Sequence, residues 1–172
     1  MLELVHGNRS AWLTTNGLFI VAAMLTIAGL GSLTVILCNA GDGVFANPAL
    51  LIFLIGTVLW ISALALRLRV TVWAAAEMTG ASAPPPQFEP LNLWSESLLD
   101  VYMVLAYIAI ALYGGGLLRA EVLPDWLGWT SVVVGILAAL SFVIRLPLFI
   151  FLIPAGTYIM PLVIGIVLLR SG

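Results

Sequence analysis

Charge is what this sequence has least of. Only 8% of its 172 residues are Asp, Glu, Lys or Arg, and Lys does not occur at all. A soluble domain of ordinary composition carries about a quarter charged residues. Because 63% of the residues are hydrophobic and the mean hydropathy is +1.19, the composition excludes a water-soluble globule. It indicates an integral membrane protein.

Residues that bind metals, haem or nucleic acid are also scarce. The single cysteine, Cys38, cannot form an internal disulfide, and the single histidine, His6, precedes every long apolar run. No Cys/His pair has metal-ligand spacing, and one histidine cannot supply both ligands of a bis-histidine haem. The net charge is −2, and no basic cluster exists to neutralise phosphates. We therefore expect no cofactor, no metal and no nucleic-acid partner.

Long apolar runs are what the sequence has in quantity. A membrane-spanning helix needs about 20 residues, and five runs have about that length: residues 17–38, 48–66, 95–118, 126–144 and 147–169. A secretory signal is the alternative interpretation of the first run, although that run is longer than the usual apolar core of a signal. The sequence predicts an all-α fold, a polytopic integral membrane helical bundle of about five transmembrane helices in a single domain.

Caps and breakers mark the ends of these runs. The second helix should continue as an interfacial extension to about Met78. Residues 81–91 contain four prolines, which favours an extended linker over a helix. Ser95 and Asp125 are predicted N-caps of the third and fourth spans. Pro161 lies inside the last span, so a bent helix is expected there.

Small residues recur within the spans. Gly135 and Ala139 have the GxxxA spacing that lets helices approach closely, which favours packing within the protein. The triplet Gly114–Gly116 predicts a loosened end of the third span, because glycine is a weak helix former.

The arginines predict the topology. With five spans and a cytoplasmic N-terminus, four of the six arginines lie on the cytoplasmic side. This excess agrees with the positive-inside rule. The cytoplasmic set is Arg9, Arg67, Arg69 and Arg145, and the opposite set is Arg119 and Arg170.

Three carboxylates are the candidate catalytic residues. Glu96 and Asp100 are four residues apart on one helix face, and Glu77 ends the preceding helix on the same predicted side. Paired carboxylates with separated pKa values can act as general acid and base, and acids close to hydrocarbon are functional candidates. The alternative is structural: Glu96, in the first turn, interacts favourably with the positive end of the helix dipole, and Asp100 pairs with Arg67 or Arg69.

Four residues near these acids are the candidate substrate-binding residues. Arg67 and Arg69 follow the second span, where they would anchor to anionic headgroups or bind a lipid phosphate or an isoprenoid diphosphate. Trp73 follows Arg69 by one helical turn, and Tyr107 lies on the helix face of Glu96. No aspartate-rich motif accompanies the arginines to hold magnesium.

The turn between the third and fourth spans carries a recurrent motif. It reads Leu-Pro-Asp-Trp-Leu-Gly-Trp over residues 123–129, and the last span ends in Gly-Ile-Val-Leu-Leu-Arg over residues 165–170. Over residues 117–170 the chain resembles a group of uncharacterised small bacterial multipass membrane proteins. The resemblance implies a bacterial inner-membrane location and brings no catalytic residue with it.

Three functions fit these features. The first is a non-enzymatic accessory or structural subunit of a larger membrane complex, or a lipid-binding membrane protein. It would contact membrane lipids and a protein partner or further copies of itself. The second is an intramembrane enzyme acting on a lipid, sterol or isoprenoid by carboxylate acid–base chemistry. The third is an oligomeric transporter. The scarcity of polar residues inside the spans favours the first and a non-enzymatic protein.

Overall fold

The computed structural model describes residues 2–78, 83–144 and 153–171, without the side chains of residues 3, 4, 153–156 and 171. All regular structure within these ranges is helical. A short π-helical segment, Arg67–Thr71, joins α3 to α4, so that Ala46–Glu77 is one continuous helix. The helices are α1 (Leu2–Gly7), α2 (Arg9–Asn39), α3 (Ala46–Leu66), α4 (Val72–Glu77), α5 (Phe88–Ala120), α6 (Asp125–Val143) and α7 (Ile153–Ser171).

Four helices among the described residues are long and apolar enough to cross a membrane: Arg9–Asn39, Ala46–Glu77, Phe88–Ala120 and Asp125–Val143. The predicted fold class, an all-α polytopic membrane protein, is confirmed. The described apolar part of α7, Thr157–Arg170, is shorter than these four. The start of the fifth predicted span, at residues 147–152, lies outside the described residues, and so does Arg145, which is predicted to lie on the cytoplasmic side.

Two helices begin earlier than the apolar runs indicate. The first predicted span, residues 17–38, lies inside α2, which starts at Arg9. The third begins at Phe88 instead of residue 95, so the predicted extended linker is wrong over residues 88–91. Pro90 lies in the first turn of α5, where a helix tolerates proline because the first amides have no acceptor within the helix.

Both predicted N-caps are wrong. Ser95 lies inside α5, is buried, and donates a 3.2 Å hydrogen bond from Oγ to the carbonyl of Ala63. Pro124 holds the N-cap position of α6, which has no side-chain cap hydrogen bond, and Asp125 is the first helical residue. Asp125 still interacts favourably with the positive end of the helix dipole.

Residue contacts divide the chain into two compact units. The first unit comprises Met1–Met24 and Val58–Val101. In it, α1 packs on α4 through an apolar cluster that includes Leu2, Val5 and Ala74.

A side chain of α2 forms a hydrogen bond with the π-helical segment in the first unit. The indole N–H of Trp12 donates to the carbonyl of Arg67 at 3.4 Å. A π-helical turn disturbs the regular pairing of carbonyls along a helix, and the indole supplies a donor at its first residue. Phe19 and Trp60 make an edge-to-face contact in the same unit, with ring centroids 6.0 Å apart.

The second unit comprises Leu25–Thr57 and Tyr102–Gly172. A buried hydrogen bond joins α2 to α5 in it: the hydroxyls of Thr34 and Tyr113 are 2.7 Å apart, and the Tyr113 hydroxyl also donates to the carbonyl of Leu30 at 3.2 Å. Such bonds hold membrane helices together, because apolar side chains contact lipid as favourably as they contact another helix.

Glycines set the distance between α5 and α6 in the second unit. A Cβ on Gly135 would lie 2.6 Å from the carbonyl oxygen of Tyr107, and one on Gly114 would lie 2.7 Å from that of Gly128. Both contacts are with backbone, so the two helices touch almost directly. The glycine triplet does not loosen α5, which continues as a helix to Ala120.

Candidate functional site

The three candidate catalytic carboxylates all belong to the first unit and are all exposed. Glu96 accepts a 2.8 Å hydrogen bond from the side-chain amide of Asn92 on its own helix. Among the described residues, Glu77, Glu96 and Asp100 form no ion pair. The pairing of Asp100 with Arg67 or Arg69 expected from the sequence does not occur in this part of the chain. Convergence of the three acids at one cytoplasmic mouth of the helix bundle stays a prediction.

The candidate substrate-binding residues lie in two environments. Arg67 is half-buried and close enough to Glu96 for their charges to interact, while Arg69 and Trp73 are exposed. Tyr107 belongs to the second unit and is only 1% exposed. It packs in the α5–α6 contact, with its carbonyl against Gly135. Their roles in binding a substrate stay predictions.

The second unit contains an apolar groove that sequence reasoning missed. It has a volume of about 580 Å³ and runs beside the contact of α5 with α6. Phe45, from the segment before α3, also lines it. Helix α5 contributes Val104, Ile108, Ala111, Leu112 and Gly115. Helix α6 contributes Val132, Gly135, Ile136, Ala139, Leu140 and Val143.

Small side chains create the space in this groove. Gly135 brings the two backbones together, while Ala111, Gly115 and Ala139 leave room beside the contact. The sequence did contain a signal, the GxxxA spacing of Gly135 and Ala139. That spacing indicates a close approach of helices, but it does not indicate an open space next to it.

A buried carboxylate orders one end of the groove. Asp42 is 0% exposed and accepts hydrogen bonds from the backbone N–H groups of Phe45 at 3.4 Å and Ala46 at 3.2 Å. A Cβ on Gly116 would lie 2.7 Å from an Asp42 carboxylate oxygen, so only glycine leaves room for it. Asp42 thereby fixes Phe45, whose ring lies against Gly115 and lines the groove.

Arg119 lies at the same end. Its Nε is 3.9 Å from an Asp42 carboxylate oxygen, and its side chain is 54% exposed. Ile108, Leu112, Gly115 and Arg119 are spaced by four, three and four residues, which places them on one face of α5. Arg119 therefore lies on the groove-lining face of α5, one helical turn beyond Gly115.

A metal-binding cluster is not found in the described part of the chain. No group of three or more His, Cys, Asp or Glu residues there could hold a metal ion. Every buried side-chain nitrogen and oxygen within the same ranges has a hydrogen-bond partner. In the second unit, the groove and the Asp42–Arg119 pair at its end form an arrangement suited to binding a ligand.

No family model, curated protein or solved structure matches this chain.

Proposed function

We propose that this is a non-enzymatic, lipid-binding protein of the bacterial inner membrane, and that the groove between α5 and α6 holds a lipid acyl chain. The observation that carries the proposal is the lining of the groove, which consists of apolar residues throughout. Its volume of about 580 Å³ lies in the range of ligand pockets, about 300–1,000 Å³.

The physical reason is packing. An empty groove deprives the side chains around it of dispersion contacts, and the bilayer offers flexible hydrocarbon to restore them. The inner-membrane location and the cytoplasmic N-terminus are supported by the distribution of arginines and by the resemblance over residues 117–170.

An accessory subunit of a membrane complex would use the same groove differently. A helix of the partner protein would then fill it in place of a lipid. We favour lipid because a flexible acyl chain adapts to an apolar groove without a matching surface, whereas a helix must interdigitate with it.

Matched tryptophan variants test the proposal. Val132 lines the groove, whereas Val133 is its exposed neighbour on α6. We expect the wild-type protein, purified in mild detergent, to retain lipid in native mass spectrometry. V132W should lose most of it because the indole fills the groove, and V133W should retain it.

Two results would contradict the proposal. One is wild-type protein that carries no lipid. The other is equal lipid occupancy in V132W and V133W. Stoichiometric co-purification of a protein whose binding V132W abolishes, with no lipid bound, would favour the accessory subunit instead.

A further inference from the structure

An exposed arginine lies beyond one end of the groove. Arg119 lies one turn beyond Gly115 on the groove-lining face of α5. Its contact with Asp42 is through Nε at 3.9 Å, which is longer than a hydrogen bond. The two carboxylate oxygens instead accept from backbone N–H groups. Asp42 therefore holds the arginine in place by charge while the half-exposed guanidinium keeps donors for a ligand.

The distance along α5 fits one leaflet of a bilayer. Fifteen residues separate Val104, at the far end of the groove, from Arg119, and a helix of that length rises about 22 Å. A bilayer with its headgroups is about 40–45 Å thick, so one leaflet measures about 20–22 Å. A lipid whose phosphate lies at Arg119 would extend its chain along the groove to the midplane.

An exposed aromatic residue lies beyond the same end of the groove on α6. Trp129 precedes the groove-lining Val132 by three residues and is 61% exposed. Exposed tryptophans are enriched at the headgroup level of membranes because the indole has an apolar body and a polar N–H.

We infer that the groove selects a phospholipid with an anionic headgroup, which Arg119 binds while the acyl chain lies between α5 and α6. The inference rests on the proposed lipid-binding function. An acyl chain gains little by leaving the bilayer for the groove, since both are apolar. Any preference among lipids must therefore come from the headgroup. At that end, Arg119 carries the exposed charge, because the Asp42 carboxylate is buried and accepts from backbone N–H groups.

Lipid competition tests this selection. Purified protein would be placed in nanodiscs of phosphatidylcholine and phosphatidylglycerol in equal amounts, released in mild detergent, and its bound lipids identified by native mass spectrometry. We expect about fivefold enrichment of phosphatidylglycerol, the factor that one arginine gives near an anionic membrane surface.

Two arginine variants provide the comparison. R119Q should retain lipid but bind both classes equally, because the chain-binding groove remains while the headgroup charge is lost. R170Q should retain the enrichment, since Arg170 is an exposed arginine in the last turn of α7 and does not line the groove. Equal enrichment in R119Q and the wild-type protein would overturn the inference.

The wild-type protein alone decides the matter if R119Q does not fold. Raising the salt concentration from 0.15 M to 1 M shortens the screening length from about 8 Å to about 3 Å, so the enrichment should fall while total bound lipid stays. Bound lipid with bulk composition at both salt concentrations would overturn the headgroup selection and leave the lipid-binding function standing. An absence of bound lipid under all conditions would overturn both.

Discussion

At the scale of single residues, the close contact of α5 with α6 depends on glycines that no other residue can replace. We expect G135A to lower the free energy of unfolding by about 1–3 kcal/mol, the usual effect of an added methyl group in a packed core. The new Cβ would lie 2.6 Å from the carbonyl of Tyr107 and 2.7 Å from the amide nitrogen of Ala111. Thermal unfolding in detergent measures the change.

Gly29 provides the control for that variant. It lies inside α2, and apart from the adjacent residues and the backbone of its own helix no atom lies within 4 Å of the position a Cβ would take. G29A should therefore be neutral or stabilising by up to about 1 kcal/mol, because alanine is the better helix former. If G135A were as stable as G29A, the contact between α5 and α6 would not require a glycine at position 135.

Asp42 is the second residue with a specific energetic role. Replacing it by alanine removes the acceptor for two backbone N–H groups at the start of α3. We expect D42A to cost about 1–2 kcal/mol of unfolding free energy. D125A is the matched control because Asp125 is exposed and makes no cap hydrogen bond, and its cost should stay below about 1 kcal/mol. Chemical denaturation of both proteins compares them.

Asp100 tests the alternative enzymatic interpretation. It is exposed and makes no ion pair with another described residue, so D100N should change the unfolding free energy by no more than about 0.5 kcal/mol. We expect the lipid profile of cells that accumulate D100N to equal that of cells with the wild-type protein. A lipid that builds up only with D100N would indicate carboxylate chemistry and contradict the non-enzymatic proposal.

At the scale of elements, one buried hydrogen bond joins α2 to α5 in the second unit. Thr34 and Tyr113 share it at 2.7 Å. A double-mutant cycle of T34V and Y113F should give a coupling energy of about 0.6 kcal/mol and no more than about 1.7 kcal/mol, the mean and the maximum for hydrogen bonds between membrane helices. Ser62, an exposed hydroxyl bonded within its own helix, supplies the control: S62A combined with Y113F should show no coupling.

The types of the elements followed from the sequence, and their ends did not. Apolar runs predict helices because the bilayer core contains no water, so the backbone N–H groups must donate to carbonyls of the same segment. The start of α5 was placed too late because the four prolines near it suggest an extended chain, yet Pro90 fits a first turn. Ser95 has a typical N-cap side chain, but its hydroxyl bonds to Ala63 of another helix. Such a contact depends on tertiary packing.

The candidate site was less predictable than the helices. Asp42 stands in a loop of Asn, Gly and Asp residues, so it has the pattern of an ordinary turn. Its burial against Gly116 follows from the fold alone. The groove likewise depends on which faces of α5 and α6 meet, and hydrophobic periodicity is weak where all faces of a helix are apolar.

At the scale of the whole molecule, the orientation in the membrane is open to a direct test. Ser10 and Val44 are exposed and lie near opposite ends of α2. In a C38S background, single cysteines S10C and V44C can be labelled in intact bacteria with a membrane-impermeant maleimide. We expect labelling of V44C and protection of S10C, because the excess of arginines places the N-terminus inside. The reverse pattern would contradict the proposed topology.

The unequal lengths of the spanning helices determine which bilayer thickness the protein matches. Helices of 31, 32 and 33 residues rise about 46–50 Å, so they can tilt or project to suit bilayers of different thickness. Helix α6 has 19 residues, about 28 Å, and has no such reserve against a hydrocarbon core of about 30 Å. In a thicker membrane, α6 would be the first of these helices to become shorter than the hydrocarbon core. Each Å of that mismatch costs a fraction of a kcal/mol. Of these helices, α6 is thus the one whose length limits the bilayer thickness that the protein can match, and it forms one wall of the groove.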